Sequence, residues 1–205
     1  MAAPWVVDDE LWAVIEPLLP VQPAGTPGPA QHDPRLVFQG ILFVLFTGIG
    51  WEDLPQELGF GSGMTCWRRL RDWQAAGVFE AMHQAVLDCS NAAGLIDVDR
   101  VMIDGSHVRA ERGRRDRTEP GRPCQDRVQT PLADLRQRGI TGYIPRRGTR
   151  DKVTAGHWIV EQTFALLHQY RRLAIRWERR IDIHYGFLNL GAALICWRRL
   201  SNRTR

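Results

Sequence analysis

Residues 34–48, PRLVFQGILFVLFTG, carry apolar side chains on nearly every face of a helix. Asp33 and Pro34 are typical of a helix N-terminus, with the aspartate as the cap and the proline in the first helical position. A helix that is apolar all round needs neighbours on every side. The sequence therefore predicts the central helix of a bundle, ending near Gly48.

Further helices are predicted on both sides of this central one. Asp8 is placed to cap a first helix that carries leucine and isoleucine on one face. A third helix is predicted to begin near Thr65 and to be interrupted at Gly77, with a fourth over 79–93. Residues 1–95 are thus predicted to form a small helical domain.

The pattern changes after this domain. Residues 98–104 contain a continuous apolar run typical of a buried strand, and 139–145 is a second short strand candidate. Apolar residues recur at helical spacing over 154–170, and a last helix is predicted over 183–199. The fold class is therefore predicted to be α+β, with a second domain over 96–205.

Arginine dominates the basic residues. Of 27 lysines and arginines only Lys152 is a lysine, and the net charge is +4. Arginine holds phosphate through two parallel hydrogen bonds and stacks on bases, so this bias favours a nucleic-acid partner. A high genomic GC content also favours arginine codons and stays open as the alternative explanation.

The cysteines and the apolar runs indicate the compartment. The four cysteines, at positions 66, 89, 124 and 196, form no CxxC pair and no spacing typical of zinc. The longest apolar run, 41–46, is far too short for a membrane span. A signal peptide has a basic stretch followed by an apolar core, and the N-terminus lacks this pattern. We expect a cytoplasmic protein with free thiols and no membrane partner.

Two basic segments are candidates for DNA contact. The first is Arg68, Arg69 and Arg71 on the third helix, which is a candidate recognition helix of a helix-turn-helix. The alternative is a solvated face balanced by Asp72. The second is the run 171–180, whose five arginines are interleaved with aromatic residues in a way that suits a phosphate backbone. Its predicted contact residues are Arg171, Arg172 and Arg176.

Two carboxylates are candidates for metal binding. Asp104 ends the predicted strand and precedes Gly105, and a rigid carboxylate with space beside it is a common metal-ligand arrangement. Asp-Gly is equally routine in a turn that ends a strand. Glu161 shares a helix face with His157 and His168, and its alternative is a solvated glutamate.

Together these segments resemble the insertion-sequence transposases of family five, within the IS4-like group of DDE transposases. The matching text, in the family's order, is LWAVIEPLLP at 11–20, RLVFQGILFVLFTGIGWEDLPQELG at 35–59, SGMTCWRRLRDW at 62–73, VMIDGSHVRA at 101–110, GRP at 121–123, LADLRQRGITGYIPRRG at 132–148 and HWIVEQTFALLHQYRRLAIRWERR at 157–180. Each motif is weak alone, but together they cover most of the chain and are highly specific.

The resemblance implies an RNase H-like catalytic core in which three carboxylates hold two divalent metals, Mg²⁺ or Mn²⁺. Such metals suit hard oxygen ligands and an in-line attack on a phosphodiester. By the resemblance Asp104 matches the first catalytic aspartate and Glu161 the final glutamate, and both are implied metal ligands. The implied partner is double-stranded DNA at the element's terminal inverted repeats. Because two DNA ends must be joined, a homodimer is also implied.

The middle of the chain departs from the family. GRP at 121–123 runs almost directly into the helix before GITGYIP, and the usual text around the second catalytic aspartate is absent. Asp126 is the candidate for that aspartate, ahead of Asp116 and Asp134. An RNase H-like core needs about five strands, a normal sheet size, whereas only two are predicted. The sequence thus predicts a truncated catalytic domain with an internal deletion near 123–131.

Two further departures touch the glutamate motif. His157 and Gln162 stand where many relatives have arginine, so the contacts that those arginines would make with the substrate phosphates do not carry over to this chain. Three hypotheses follow: a transposase by descent with impaired strand transfer, a non-catalytic DNA-binding remnant that competes for element ends, and an unstable product without function.

Overall fold

The computed structural model describes residues 3–21, 32–95, 162 and 165–202, and these are mostly helical. The α-helices in chain order are α1 Asp9–Ile15, α2 Pro34–Thr47, α3 Gly63–Ala75, α4 Val78–Ala92, α5 Arg171–Ala174 and α6 Ile181–Ser201. Three short 3₁₀ turns lie at Glu16–Leu18, Trp51–Asp53 and Gln56–Leu58. No strand occurs within these described ranges.

The first two helices begin at the predicted caps. Asp8 Oδ1 accepts a hydrogen bond from the Leu11 amide at 2.7 Å, and Asp33 Oδ1 accepts one from the Arg35 amide at 2.8 Å. Each carboxylate satisfies one of the amide groups that a helix leaves unpaired in its first turn. Pro34 occupies the first position of α2, as predicted, and α2 ends at Gly48 with φ of 73°.

Helix α3 begins slightly earlier than predicted because Ser62 is its cap. The first helical residue, Gly63, lies directly against the backbone of Trp51, and a Cβ atom there would collide with the Trp51 carbonyl. Only glycine therefore lets the Trp51–Asp53 turn pack on the start of α3. Helices α3 and α4 are joined at Gly77, whose φ of 75° is the left-handed conformation expected of a predicted break.

Helix α2 is the centre of the core, as its sequence predicts. Phe38, Ile41, Val44 and Leu45 are all 0% exposed. The helix packs against α3 and α5. Gly40 allows the side chains of the segment before α3 to approach the backbone of α2 closely.

The last helix, α6, is longer than the predicted 183–199 and lies chiefly along α4 and α3. Its buried residues Ile183, Phe187 and Leu190 belong to the same apolar cluster as Phe79 and Met82 of α4. The described residues on both sides of the segment 96–161 therefore share one hydrophobic core.

The mostly helical character of the predicted fold is confirmed, and its β component stays a prediction. The strands expected at 98–104 and 139–145, and with them the RNase H-like domain, lie outside the described residues. So does most of the helix expected over 154–170, of which 165–168 is helical. The boundary at residue 95 and the deletion near 123–131 likewise remain predictions. None of the described helices is long and apolar enough to cross a membrane.

Candidate nucleic-acid interface

The predicted catalytic residues Asp104, Asp126 and Glu161 all lie outside the described residues. Within the described part of the chain, no group of three or more histidine, cysteine or carboxylate side chains is placed to hold a metal ion. The catalytic and metal-binding assignments therefore stay predictions. Both basic segments lie within the described residues.

The arginines of α3 differ in their surroundings. Arg68 is exposed, and it belongs to a solvent-facing stripe with Met64 and Asp72 at helical spacing. Arg71 is partly buried, pairs with Asp72 at 2.7 Å and lies with its guanidinium 5.6 Å from the Trp67 ring. Arg69 is partly buried. Asp72 therefore neutralises the charge of Arg71. Arg68 is the most accessible of the three arginines.

Helix α3 does not have the connections of a helix-turn-helix recognition helix. Such a motif joins its two helices by a turn of about three or four residues. Here residues 48–62, with two 3₁₀ turns, separate α2 from α3. The short connection lies on the other side, between α3 and α4, and the exposed face of α4 carries Glu80 and Asp88. Any DNA contact by α3 therefore has a different geometry.

The aromatic residues of the C-terminal run have opposite environments. Tyr170 is 1% exposed, and its ring packs 5.0 Å from that of Phe46 in α2. Trp177 is 42% exposed. The expected interleaving of aromatic residues with arginines therefore holds for Trp177 alone, because Tyr170 belongs to the core. Arg171, next to Tyr170, is exposed on α5.

Arg172 is the most enclosed of the predicted contact residues. It is 6% exposed, and its Nη2 and Nε donate hydrogen bonds to Glu178 Oε1 at 2.6 and 3.0 Å. Its Nη1 donates to the Ile49 carbonyl at 2.9 Å, at the end of α2. The guanidinium also lies about equally close to two indole rings, 5.9 Å from Trp51 and 5.8 Å from Trp177. Its donors are thus directed into the protein.

The rest of the run turns back on itself. Arg176 donates from Nε to the Glu178 carbonyl at 3.2 Å and from Nη2 to the Arg179 carbonyl at 3.4 Å. Arg180 pairs with Asp182 at 2.6 Å, and this hydrogen bond lowers the pKa of the Asp182 carboxyl. Arg179 is exposed. The run therefore presents Arg171 and Arg179 outward, whereas Arg172 binds the Glu178 side chain and Arg176 binds backbone carbonyls of the run.

Trp51 contacts both the start of α3 and the C-terminal run. Its backbone abuts Gly63 at the start of α3, its ring stacks on Phe187 of α6 at 6.0 Å, and it lies under the Arg172 guanidinium. The sequence alone did not single out Trp51. The signal that could have indicated its role is a tryptophan beside glycines at the end of the most buried helix.

The described cysteines are free, and two of them are poor nucleophiles. Burial raises the pKa of the Cys66 thiol to about 12, and burial also raises the pKa of Cys196. Because the thiolate is the reactive form, neither group suits covalent catalysis at neutral pH.

Comparisons with known proteins identify the family. A family model described as "Putative transposase of IS4/5 family (DUF4096)" matches residues 7–83, which include α1 to α3. The chain is 52% identical over 113 residues to "Insertion element IS402 uncharacterized 16.2 kDa protein" of Burkholderia cepacia, covering 54% of this chain and 76% of the relative.

A second relative, "Putative transposase for insertion sequence element IS402" of the same organism, is 53% identical over 68 residues. That match covers 32% of each protein, so the chain aligns with about a third of this relative's length. No solved structure matches. The resemblance inferred from the motifs is confirmed, and the chain belongs to the insertion-sequence transposases of the IS4/5 family.

Proposed function

We propose that this chain binds double-stranded DNA at the terminal inverted repeats of an insertion sequence, through a basic face centred on Trp51. The observation that supports this most is that Trp51 contacts both Gly63 at the start of α3 and Arg172 of the 171–180 run, although the two are far apart in sequence. Phosphate groups spaced along a duplex need cations spread over a surface rather than gathered at one point.

The exposed arginines of this face are the proposed phosphate contacts. Arg68, Arg171 and Arg179 are exposed, and a guanidinium can form two parallel hydrogen bonds with a phosphate. Contacts of this kind position a protein on DNA without reading its sequence. Recognition of particular terminal repeats must therefore come from base contacts by other side chains, for which Met64 on the exposed stripe of α3 is one candidate.

The catalytic half of the proposal rests on the family and on Asp104, Glu161 and the weak candidate Asp126. Three carboxylates are a donor set that suits Mg²⁺ or Mn²⁺. When bound, such ions polarise the attacking and leaving oxygens of a phosphodiester. Because the sequence around the second aspartate is missing, we propose that strand cleavage and transfer are impaired in this chain. Since transposition joins two DNA ends, a homodimer is the expected working assembly.

A second candidate function is a DNA-binding remnant without catalysis, which would compete with an intact transposase for element ends. The shared core of the described helices favours it. Helices α2, α3 and α4 and the segment with α5 and α6 are packed together, and both proposed contact segments belong to this unit. A binding surface can thus be kept even where the carboxylate segment between them is defective.

One assay separates the two functions. End-labelled duplex DNA carrying the flanking element's ends is incubated with the full chain and Mn²⁺, and cleavage and gel retardation are both measured. The control variants are Asp104→Ala and Asp88→Ala, the latter removing an exposed carboxylate of α4. Cleavage lost only in Asp104→Ala supports a functional catalytic site. Retardation without cleavage supports the remnant, and the absence of both contradicts the proposal.

A further inference from the structure

Arg172, Glu178 and the Ile49 carbonyl form a compact polar cluster, which we name the arginine clamp. The ion pair between Arg172 and Glu178 is 2.6 Å long, and the two side chains are 6% and 10% exposed. The third partner, the Ile49 carbonyl, follows the end of α2 and accepts from Nη1 at 2.9 Å. The clamp therefore joins the C-terminal run to the turn that holds Trp51.

The surroundings of the clamp make direct phosphate contact by Arg172 unfavourable. A phosphate would have to displace a carboxylate that already receives two hydrogen bonds from the same guanidinium. The Trp51 and Trp177 rings also lie 5.9 and 5.8 Å from the guanidinium and occupy part of the space around it. Removing Arg172 from its partners would leave Glu178 largely buried with an uncompensated charge, which is costly.

The clamp fixes the course of the chain between α5 and α6. Helix α5 ends at Ala174, and Ile175 has an extended backbone with φ of −133° and ψ of 133°. The chain then has no regular helix until Ile181. In this short stretch Glu178 supplies two anchors, since its side chain binds Arg172 and its carbonyl accepts from Arg176. An extended segment without such anchors would sample many conformations.

We propose that Arg172 and Glu178 are positioning residues for DNA binding, and that the clamp holds the exposed Arg171 and Arg179 beside Trp51. This inference rests on the proposed function. A negative charge next to a surface for an anionic ligand would ordinarily weaken binding. Here, however, binding requires the negatively charged Glu178. Arranging the cations before DNA arrives lowers the entropic cost of ordering them in the complex.

The test measures duplex DNA binding by the full chain, by fluorescence anisotropy, for Glu178→Gln and for the matched control Glu52→Gln. Glu52 is exposed on the Trp51–Asp53 turn. Removing either charge should tighten binding if simple electrostatics governs it. If the clamp positions the cations, Glu178→Gln should lower the affinity for duplex DNA by roughly tenfold, about the effect of losing a single strong contact. Glu52→Gln should bind duplex DNA as tightly as the wild type or more tightly.

A double variant separates positioning from direct contact. Buried ion pairs can often be replaced by apolar residues of similar size without loss of stability. Arg172→Met combined with Glu178→Leu keeps the net charge and is expected to restore affinity to within about threefold, with an unchanged dependence on salt. A direct phosphate contact by Arg172 predicts instead that the double variant stays weak, with a salt slope shallower by about one.

The outcomes distinguish this inference from the function on which it rests. If the wild-type chain does not bind duplex DNA, the proposed function is wrong and the inference is wrong with it. If the wild type binds and Glu178→Gln binds as tightly as Glu52→Gln or more tightly, only the inference is overturned. A weakly binding double variant with a shallower salt slope also overturns it.

Discussion

The two basic segments are built from the same residue type but use it differently. On α3 the Arg71–Asp72 pair lies at the surface, with side chains 39% and 46% exposed, and Arg68 faces solvent. In the C-terminal run the Arg172–Glu178 pair is almost fully enclosed, at 6% and 10%. A surface pair is worth little, whereas breaking a buried pair strands a charge. A run of arginines in a sequence therefore mixes solvent-exposed side chains with internal braces.

The largest expected effect comes from breaking the enclosed pair. We expect Arg172→Ala to lower the free energy of unfolding by about 3–5 kcal/mol, because Glu178 is left buried without a partner. The matched change in the exposed pair, Arg71→Ala, should cost less than about 1 kcal/mol. Urea denaturation followed by circular dichroism measures both. Similar losses for the two variants would show that the two ion pairs are equivalent, which would contradict a special role for the enclosed pair.

The next largest effect concerns the contact through which α3 meets the turn. Gly63→Ala forces a Cβ atom against the Trp51 carbonyl, so we expect a loss of about 3 kcal/mol in stability, at the upper end of the range for overpacking. Gly59→Ala is the control, since a Cβ atom there meets nothing and its φ of 73° costs about 1–2 kcal/mol. Thermal unfolding compares them, and an equal shift would contradict the close packing at Trp51.

The affinity for DNA compares the exposed arginines of the two segments directly. Each of Arg68→Ala and Arg171→Ala should weaken duplex binding by a few-fold and reduce the slope of log affinity against log salt by about one. Both segments are expected to contribute similarly, because each presents an exposed guanidinium. Titrations over a salt series measure the slopes. A change in only one variant would assign DNA contact to that segment alone.

The smallest effect is a loss of stability in mild acid. Burial lowers the pKa of His83 in α4 and of His184 in α6, and for His184 the nearby Arg176 lowers it further. With these lowered pKa values, the unfolded chain binds protons more readily than the folded chain does. The stability that comes from keeping the two histidines neutral is therefore present above the ordinary histidine pKa of about 6.5 and is lost as the pH falls below it. Denaturation at pH 7.5 and 5.5 should show the loss, and His184→Gln should reduce it. An unchanged pH dependence in that variant would contradict the assignment.

Local signals predicted the helical part of the molecule well. Asp8, Asp33 and Gly77 each act within a few residues of their own position, so caps and breaks could be inferred directly. The uniform apolarity of 34–48 predicted a central helix, and α2 is central. Caps, periodicity and glycine breaks are properties of short segments, which is why a sequence reveals them.

The arrangement of the site was harder to predict because it depends on distant contacts. The sequence around 171–180 does not indicate that Arg172 donates a hydrogen bond to the Ile49 carbonyl. It also does not indicate that Tyr170 is buried against Phe46. The helix-turn-helix interpretation of α3 failed for a similar reason, since the basic pattern of a helix does not reveal the length of its connections. Family membership was recoverable because the motifs, unlike the contacts, follow one another along the chain.

The most direct test of the central claim asks whether both segments touch the same DNA. A photo-crosslinking benzoylphenylalanine replaces Met64 at the start of α3, Trp177 in the C-terminal run, or Ala13 on α1 as a control. Met64 and Trp177 are 54% and 42% exposed, and Ala13 is exposed on a helix that packs near the other end of α2. The account predicts crosslinks to labelled duplex from positions 64 and 177 and none from 13. Crosslinking from only one of the two positions, or equally from all three, would contradict a single DNA-binding face around Trp51.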